Sequence, residues 1–397
     1  MSRLKYLSQV FQPVITIPKN AKIKNTEITC KSQKLLLECG LIRPTSAGLF
    51  SVLPLARRAL NKLESLIQSC IDDVGGQQIS LPALTSTNLW EQSGRLDNAP
   101  AELLKLEDRH SKKYLLAPTH EESIADLLAD VGPLSYKQLP LLLYQIGNKY
   151  RDEHRPKHGM LRAREFSMMD LYGIHGNIGC AEESYAIVSE AYRRLFGILE
   201  LPVHRATSIP NFIQIPSVVF TFHIYDISDV RSGEVGHTFI LGSKYSEALK
   251  ANFINQDGKS QPLLMSCYGI GITRLLAASL EAMSTDTSLR WPEAIAPYNT
   301  VVIGPKVRMT TLRALCLSLS YRNRIFLLSD IVFEPDISFL IDIVFEPDIS
   351  FLIDIVFEPD ISFLIDIVFE PDISFLIDIV FEPDISFLID IVFEPDI

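Results

Sequence analysis

Residues 150–166, YRDEHRPKHGMLRAREF, gather four arginines, one lysine and two histidines among three acids. Arginine keeps its charge at physiological pH, and its forked donors match the oxygens of phosphate groups. On a strand, Arg151 and Glu153 would share one face, where the acid could orient the arginine or accept from an amino group. Arg162 and Phe166 follow a loop, and an arginine beside an aromatic ring suits a phosphate and a stacked base. The stretch indicates either a solvated surface or a loop that holds a strong anion.

The elements that must position these residues alternate between short strands and amphipathic helices. Residues 54–74 place apolar side chains on one helical face, with a proline at the start and two glycines at the end. A short strand, QQISLP, follows and ends at Pro82, and a second helix covers roughly residues 181–200. Residues 263–282 predict a strand, a glycine-rich turn and a helix. This pattern is typical of an α+β domain.

Charge divides the chain into two parts. Of its 48 acidic residues, 17 lie in residues 331–397, which contain no lysine or arginine, so residues 1–330 carry a net charge of +6. A mildly basic body is compatible with a nucleotide or nucleic-acid partner. No apolar run is long enough to span a membrane, so no membrane partner is expected. The six cysteines lack CxxC spacing, and no structural metal site is indicated.

Residues 331–397 repeat the unit IVFEPDISFLID five times without a substitution and finish with IVFEPDI. The recurring proline excludes a continuous helix, and the composition favours strands with EPD as the turn. A β-solenoid is conceivable. Natural solenoid repeats usually vary, so perfect identity favours a recently duplicated DNA tract or an error in the gene model.

Several sequence blocks, in order, resemble bacterial-type prolyl-tRNA synthetases, which are class II aminoacyl-tRNA synthetases. YRDE…RAREF has the form of motif 2, CYGIGITRLL (267–276) has the form of motif 3, and the helix at 54–74 with its following strand is similar to motif 1. Four further blocks share the resemblance: LWEQSGR (89–95), APTHEESIADLL (117–128), GEVGHTFILGSKYSEALKA (233–251) and RWPEAIAPY (290–298). The resemblance covers roughly residues 28–206 and 233–305.

The resemblance implies a class II catalytic domain, in which helices flank an antiparallel β-sheet. It implies a proline–tRNA ligase, which uses ATP and Mg²⁺ to form prolyl-adenylate and then transfers the prolyl group to tRNA(Pro). Motif 1 implies a homodimer, since it typically forms the dimer interface of class II enzymes. The alternatives are a non-catalytic synthetase-like binding protein and a defective gene model.

The resemblance also assigns the site. It implies that ATP and Mg²⁺ are bound by Arg151, Glu153, Arg162, Phe166, Glu234, Gly269, Gly271 and Arg274. The three arginines of this set are the expected catalytic residues. It gives proline to Thr119, Glu121 and His237, because a hydroxyl and a carboxylate satisfy the two N–H donors of a secondary ammonium. Thr119 followed by acids is also a helix-capping pattern, and a lone histidine is more often an ordinary core or surface residue.

The expected domains are a possible mitochondrial targeting segment at 1–27 and a catalytic domain at 28–305. A remnant of the anticodon-binding domain follows at 306–330, and the repeat occupies 331–397. Within the catalytic domain, residues 208–232 do not match the family's Ser-His-Glu-Phe strand. About a hundred residues separate motifs 2 and 3, which is too few for the family's editing insertion. In lacking this insertion, the chain is similar to the mitochondrial members of the family. The mitochondrial matrix is therefore the expected location, with the cytoplasm as the alternative.

Overall fold

The computed structural model describes residues 10–13, 28–98, 102–208, 217–226 and 229–298, together with six strands between 327 and 393. The chain divides into two compact units, Met1–Asn299 and Thr300–Ile397. The targeting segment predicted at 1–27 and the remnant predicted at 306–330 lie almost wholly outside the described residues.

The strands of the first unit form one large sheet and several small ones. In chain order they are β1 (Ile42–Ser46), β2 (Leu49–Val52), β3 (Gln77–Gln78), β4 (Leu84–Ser86), β5 (Lys105–Glu107), β6 (Lys113–Leu116), β7 (Leu134–Ser135), β8 (Leu141–Tyr150), β9 (Glu165–His175), β10 (Val203–Ser208), β11 (Ser217–Asp226), β12 (Asp229–Gly242), β13 (Asn252–Ile254), β14 (Ser260–Pro262) and β15 (Leu264–Gly271). The large sheet has the order β10-β11-β12-β15-β9-β8-β3 and is antiparallel except where β3 joins β8. The antiparallel sheet predicted from the family resemblance is confirmed.

The helices of the described residues are α1 (Lys31–Glu38), α2 (Pro54–Asp72), α3 (Thr87–Gln92), α4 (Arg95–Asn98), α5 (Glu121–Val131), α6 (Ile178–Ile198), α7 (Lys244–Leu249) and α8 (Ile272–Met283). Short 3₁₀ turns lie at Tyr136–Gln138, Gly159–Leu161 and Glu293–Ile295. No helix within the described residues has the length and apolar character needed to cross a membrane.

The two long helices form where the apolar pattern predicts them. α2 has proline at its first position and buries a stripe of small and aliphatic side chains, from Ala56 to Ile71. α6 begins three residues before the predicted start, because the Asn177 side chain caps it by accepting from the Cys180 N–H at 2.9 Å. The predicted glycine-rich turn is wrong: Gly269 and Gly271 lie within β15, and α8 follows directly.

Each face of the large sheet has its own core. Alternate residues of β9 and β15 divide between the faces, as strand geometry requires. Leu171 and Ile270 join the core formed with α1, α2, α6 and α8. Tyr172 and Cys267 join the core formed with α5, α7 and the small sheet of β7, β13 and β14. The second of these faces, here called the site face, carries most of the residues with predicted functions.

The repeat, together with the four residues before it, forms two three-stranded parallel sheets within the second unit. One contains β16 (Leu327–Phe333), β18 (Phe351–Phe357) and β20 (Phe375–Phe381), and the other contains β17 (Ser338–Phe345), β19 (Ser362–Phe369) and β21 (Ser386–Phe393). Residues pair with their copies two repeats further on, as Ser338 does with Ser362. The strand composition is thus confirmed, and the alternation is the one that a solenoid of two strands per turn requires. The inferred origin of the repeat in a duplicated tract stays a prediction.

Candidate active site

The arginine-rich loop of residues 151–164 connects β8 to β9 at one end of the large sheet. β8 ends at Tyr150, so the prediction that Arg151 and Glu153 share a strand face is wrong. The chain turns there, and the Glu153 N–H donates to the Arg151 carbonyl at 2.8 Å. Glu153 instead orients Arg162, whose Nε and Nη2 lie 2.9 and 2.8 Å from the same carboxylate oxygen. A neighbouring ion pair joins Asp152 to Arg164 across the loop. The interleaved acids therefore hold the arginines in place.

Phe166 is the aromatic residue of this cluster and lies on β9. The Arg151 guanidinium carbon is 5.2 Å from the centre of its ring, within cation–π range. The Phe166 side chain is almost fully buried, so its position is set by packing. Phe166, Met168 and Asp170 alternate along the site face of β9. The Phe166 ring is therefore fixed beside the Arg151 guanidinium, which could bind a phosphate.

Arg274 reaches the same cluster from the first turn of α8. Its Nη1 donates to the Glu234 carbonyl of β12 at 3.0 Å. Burial lowers the pKa of Arg274; Glu234 and Glu153 oppose this shift, and the positive charges of Arg151 and Arg162 add to it. The positive charges of Arg151 and Arg162 thus act on Arg274, and an anion between the three arginines would relieve that repulsion.

Gly269 and Gly271 place no side chain of their own on the site face of β15. A Cβ on Gly269 would lie 2.5 Å from the terminal carbon of Met168, and one on Gly271 would lie 3.3 Å from the Cβ of Arg274. Cys267, Gly269 and Gly271 alternate along the strand, so neighbouring members of this row are about 7 Å apart. The absence of a Cβ lets the Met168 and Arg274 side chains lie close against β15, so a ligand beside this strand would contact them as well as the backbone.

Thr119 and Glu121 lie at the other end of this row, where α5 begins. The Thr119 hydroxyl donates to Glu121 Oε2 at 2.6 Å, and Arg95 Nη1 donates to the same oxygen at 3.1 Å. Burial raises the pKa of Glu121, but Arg95 and the Thr119 hydroxyl outweigh it and hold the pKa below its ordinary value. The Cys267 thiol interacts with the Glu121 carboxylate, which places that carboxylate over β15. Glu121 and Glu122 lie in the first turn of the helix, where acids suit its dipole, but the N-cap is His120 and no side chain of the described residues caps the helix, so the interpretation of Thr119 as a cap is wrong.

His237 lies on β12 opposite Gly269, and Phe239 lies opposite Cys267. The His237 and Phe239 rings stack, with 3.7 Å between their centroids. His237 Nδ1 is 3.0 Å from Glu234 Oε1. Burial raises the pKa of Glu234, while His237, Arg274 and Arg151 lower it more strongly, so the carboxylate is ionised at neutral pH. The structure thus brings Glu234 into contact with His237 and Arg274.

The floor of the site contains polar residues that the sequence interpretation missed. Lys149 Nζ is 2.6 Å from Asp170 Oδ2, and both side chains are buried on the site face. His120 is held by the Gln145 side chain at 2.8 Å and by the Pro82 carbonyl at 2.9 Å. Burial lowers the pKa of His120, and Lys149 lowers it further. Arg95 was also missed, although it ends the LWEQSGR block that carries part of the family resemblance.

His154 and His158 lie in the arginine-rich loop. His158 Nδ1 is 2.8 Å from the Thr29 hydroxyl, and the residue adopts a left-handed backbone conformation. Over the described residues, no group of three or more His, Cys, Asp or Glu could hold a metal ion. Mg²⁺ in nucleotide sites commonly needs only one or two carboxylates besides the phosphates. Glu234, beside the arginines, fits that pattern.

The chain has relatives among known proteins. Residues 104–283 match the family model of the tRNA synthetase class II core domain (G, H, P, S and T). The chain is 40% identical over 341 residues to the probable mitochondrial proline–tRNA ligase of Rattus norvegicus, a match that covers 76% of this chain and 71% of that protein. It is 33% identical over 351 residues to the proline–tRNA ligase of Wolbachia sp. subsp. Drosophila simulans (strain wRi), covering 77% of this chain and 81% of that protein.

Solved structures share the fold at lower identity. The prolyl-tRNA synthetase of Giardia lamblia in complex with prolyl-adenylate superposes with a TM-score of 0.62 at 20% identity, covering 67% of this chain and 55% of that one. The Cryptosporidium parvum enzyme complexed with L-proline and AMP gives a TM-score of 0.60 at 17% identity, covering 67% and 54%. The chain thus matches little more than half the length of these two structures. On the strength of its class II core and its 40% identity to a proline–tRNA ligase, this chain belongs to the prolyl-tRNA synthetase family of class II aminoacyl-tRNA synthetases.

Proposed function

We propose that the chain is a proline–tRNA ligase that activates proline with ATP and transfers the prolyl group to tRNA(Pro). One observation carries the proposal: the site face of β15 joins two chemically different ends. Glu121 interacts with Cys267 at one end, and Arg274 follows Gly271 at the other. A secondary ammonium suits the first end and a polyphosphate suits the second. Gly269 and the Met168 side chain that lies over it are between these ends, and a carboxylate and an α-phosphate would meet beside them.

Proline would be held by Thr119, Glu121 and His237. Its ammonium has two N–H donors, for which the Glu121 carboxylate and the Thr119 hydroxyl are acceptors. His237 lies on the neighbouring strand opposite Gly269 and stacks on Phe239, so its ring can flank a small substrate. These residues would fix the substrate so that its carboxylate points along β15 towards the arginines.

ATP would lie on the second end of the row. Phe166 and Arg274 would hold adenine between them, and Glu153 would orient Arg162 towards the phosphates. Gly269 and Gly271 would add no side chain of their own beside the nucleotide. Mg²⁺, held by the phosphates and Glu234, would neutralise phosphate charge.

Adenylate formation would require no general base, because the proline carboxylate is already ionised. One carboxylate oxygen would form a bond to the α-phosphorus while the bond from that phosphorus to the pyrophosphate oxygen breaks. The negative charge that leaves with pyrophosphate would be met by Arg151, Arg162 and Arg274. In the second step, a terminal ribose hydroxyl of tRNA would attack the prolyl carbonyl and release AMP.

The location and the oligomeric state of the protein are part of the same proposal. Relatives from Rattus norvegicus and Homo sapiens are named as mitochondrial, which supports a mitochondrial location, and the matrix is the compartment that we propose within it. α2, the motif 1 helix, supports a homodimer. A fluorescent fusion of the full chain should colocalise with a matrix marker, and light scattering during gel filtration should give twice the chain mass.

The test is proline-dependent exchange between ATP and pyrophosphate by the full 397-residue chain. Alanine, cysteine and no amino acid serve as substrate controls. Arg151→Ala should reduce exchange about 100- to 1,000-fold, as expected for removal of one preorganised group that stabilises developing charge. Arg193→Ala is the matched control, because Arg193 is an exposed arginine paired with Glu190 on α6. A folded wild-type chain without exchange would favour the second candidate, a non-catalytic binding protein.

A further inference from the structure

Arg95 connects two neighbouring carboxylates at the start of α5. Its Nη1 is 3.1 Å from Glu121 Oε2 and 3.1 Å from each oxygen of Glu122. Glu122 also accepts from the Ser93 hydroxyl at 3.0 Å. One guanidinium nitrogen therefore donates to two carboxylates: that of Glu121, which faces the proposed substrate, and that of Glu122, which faces the protein interior.

The Arg95 guanidinium is itself held in place by aromatic rings. Its central carbon lies 4.2 Å from the centre of the Trp90 ring and 5.7 Å from that of Tyr245. Trp90 belongs to α3 and Tyr245 to α7, so two separate helices fix the position of the cation. A planar guanidinium can stack on a ring while it donates to two acceptors, whereas a lysine ammonium acts as a single point charge.

Two adjacent buried carboxylates resist being charged together. The side chain of Glu122 is fully buried, and that of Glu121 is nearly so. Burial raises the pKa of Glu122, Arg95 opposes this shift, and the charge of Glu121 adds to it. The pKa of Glu121 is shifted the other way, as described above. The pair is thus divided into one carboxylate that ionises readily and one that does so reluctantly.

The groups that face Glu121 come from every element packed against it. They are Arg95 from α4, Glu122 from α5, His120 before that helix, Tyr172 from β9, Tyr245 from α7 and Cys267 from β15. Burial raises the pKa of both tyrosines and of the thiol, and it lowers the pKa of His120, so these four groups are neutral at pH 7. Arg95 supplies the positive charge of this set.

We propose that Arg95 is a positioning residue for the amino-acid substrate: it keeps Glu121 as the charged acceptor of the proline ammonium while it holds Glu122 in the interior. The inference rests on the proposed function and adds a residue to its substrate site. Arg95 does not touch the reacting atoms. Its effect should therefore appear in the binding of proline and in the pH dependence of that binding, and not in the binding of ATP.

The test compares Arg95→Met, Arg95→Lys and the double variant Arg95→Met/Glu122→Gln in the full chain. KM for proline and KM for ATP are measured by ATP–pyrophosphate exchange from pH 6 to 8.5. Arg95→Met should raise KM for proline about 10- to 100-fold, the range for hydrogen bonds to charged groups, with KM for ATP within about twofold. The increase in KM for proline should be larger at pH 6 than at pH 8. Without Arg95, one carboxyl group of the Glu121–Glu122 pair retains its proton at the lower pH, and a protonated Glu121 is a weaker acceptor for the proline ammonium. Arg95→Lys should give a smaller increase.

The double variant distinguishes positioning from loss of structure. Glu122→Gln removes the competing charge, so the double variant should bind proline several-fold more tightly than Arg95→Met and lose its extra pH dependence. A merely structural role for Arg95 also predicts some recovery, because Glu122→Gln removes the buried charge that Arg95→Met leaves unpaired. That recovery would be one of stability and would affect KM for proline and KM for ATP alike, whereas positioning predicts recovery of KM for proline alone. Arg193→Met is the control for loss of an arginine, and tryptophan fluorescence checks folding. If Arg95→Met melts below the assay temperature, Arg95→Lys alone should still raise KM for proline without affecting KM for ATP.

Two failures are separable. Wild-type chain without exchange refutes the proposed function, and the inference falls with it. Wild-type chain with exchange, and an unchanged KM for proline in folded Arg95→Met at every pH, refutes only the inference. Equal increases in KM for proline and ATP would also overturn it, because they would indicate general damage to the site.

Discussion

Replacing Lys149 with methionine should destabilise the catalytic unit more than any surface charge change. Lys149 and Asp170 form an ion pair with 2.6 Å between Nζ and Oδ2, and their side chains are 0% and 2% exposed. Methionine fills nearly the same volume but leaves the Asp170 carboxylate buried without its cation. Removing one partner of a buried pair costs about 3–5 kcal/mol, because the remaining charge has lost its solvation and its counter-charge. That cost is a large part of the stability of a typical domain, which is about 5–15 kcal/mol.

The second substitution sets the size of the coupling. Asp170→Asn alone should also be costly, since it leaves a buried ammonium with a neutral partner. The double variant Lys149→Met/Asp170→Asn contains neither charge and should lose about 2–4 kcal/mol less than the sum of the single variants. A matched surface control is Arg193→Met, whose ion pair with Glu190 is 72% and 54% exposed and should contribute at most about 1 kcal/mol.

The assay is urea denaturation followed by tryptophan fluorescence. The two tryptophans, Trp90 and Trp291, both lie in the first compact unit, so the repeat contributes no signal. Free energies of unfolding for the four chains of the cycle give the coupling directly. Additive losses, or a Lys149→Met cost equal to that of Arg193→Met, would refute the reasoning that the floor of the site depends on this charge pair.

Two further predictions concern the loop and a buried histidine. Glu153→Gln should raise KM for ATP about threefold to tenfold and leave KM for proline unchanged, because it weakens the hold on Arg162, a side chain that is 56% exposed and partly screened; exchange at varied ATP measures this, and an equal change for proline would contradict it. Burial lowers the pKa of His175 to about 4, so the folded chain binds fewer protons than the unfolded chain between that pH and about 6.5, and stability falls as pH falls through this window. The loss should be about 2 kcal/mol between pH 7.5 and 5.0, and urea titrations should show it reduced in His175→Gln; an identical loss in the variant would locate the effect elsewhere.

Helices were the most predictable part of the fold. α2 and α6 combine an apolar stripe with terminal signals, and both lie close to the predicted ranges. The glycines of β15 were misleading, because glycine in a strand and glycine in a turn look alike in sequence. At Gly269 the strand lies between β9 and β12, and the absence of a side chain leaves room there for the terminal carbon of Met168. The end of β8 at Tyr150 was missed for a similar reason, since charged residues occur both in strand ends and in loops.

Whether a site residue could be identified from the sequence depends on how far along the chain its contact partners lie. Short motifs such as Thr119-x-Glu121 carry their chemistry locally and could be proposed from the sequence. The contact from Arg95 to Glu121 joins positions 26 residues apart, so it depends on how α3, α4 and α5 pack. The Lys149–Asp170 pair depends on the register of β8 and β9, in which Lys149 is opposite Phe166. A shift of one residue would reverse every face, and a single sequence does not specify that register.

Strand β11 shows how a sheet can keep its architecture while one part of its chemistry changes. Residues 208–232 do not resemble the expected Ser-His-Glu-Phe strand, yet 217–226 occupy the place between β10 and β12. Phe220 explains this, because it is buried with its ring 5.5 Å from both Tyr192 and Phe196 of α6. Backbone pairing and one buried face are enough to place a strand. The residue opposite His237, however, is Val219, which offers no hydrogen bond to a substrate. β11 supports both ends of the site through β12, because Val219 is opposite His237 and Thr221 is opposite Glu234, so any deficit that it causes should appear in KM for proline and in KM for ATP.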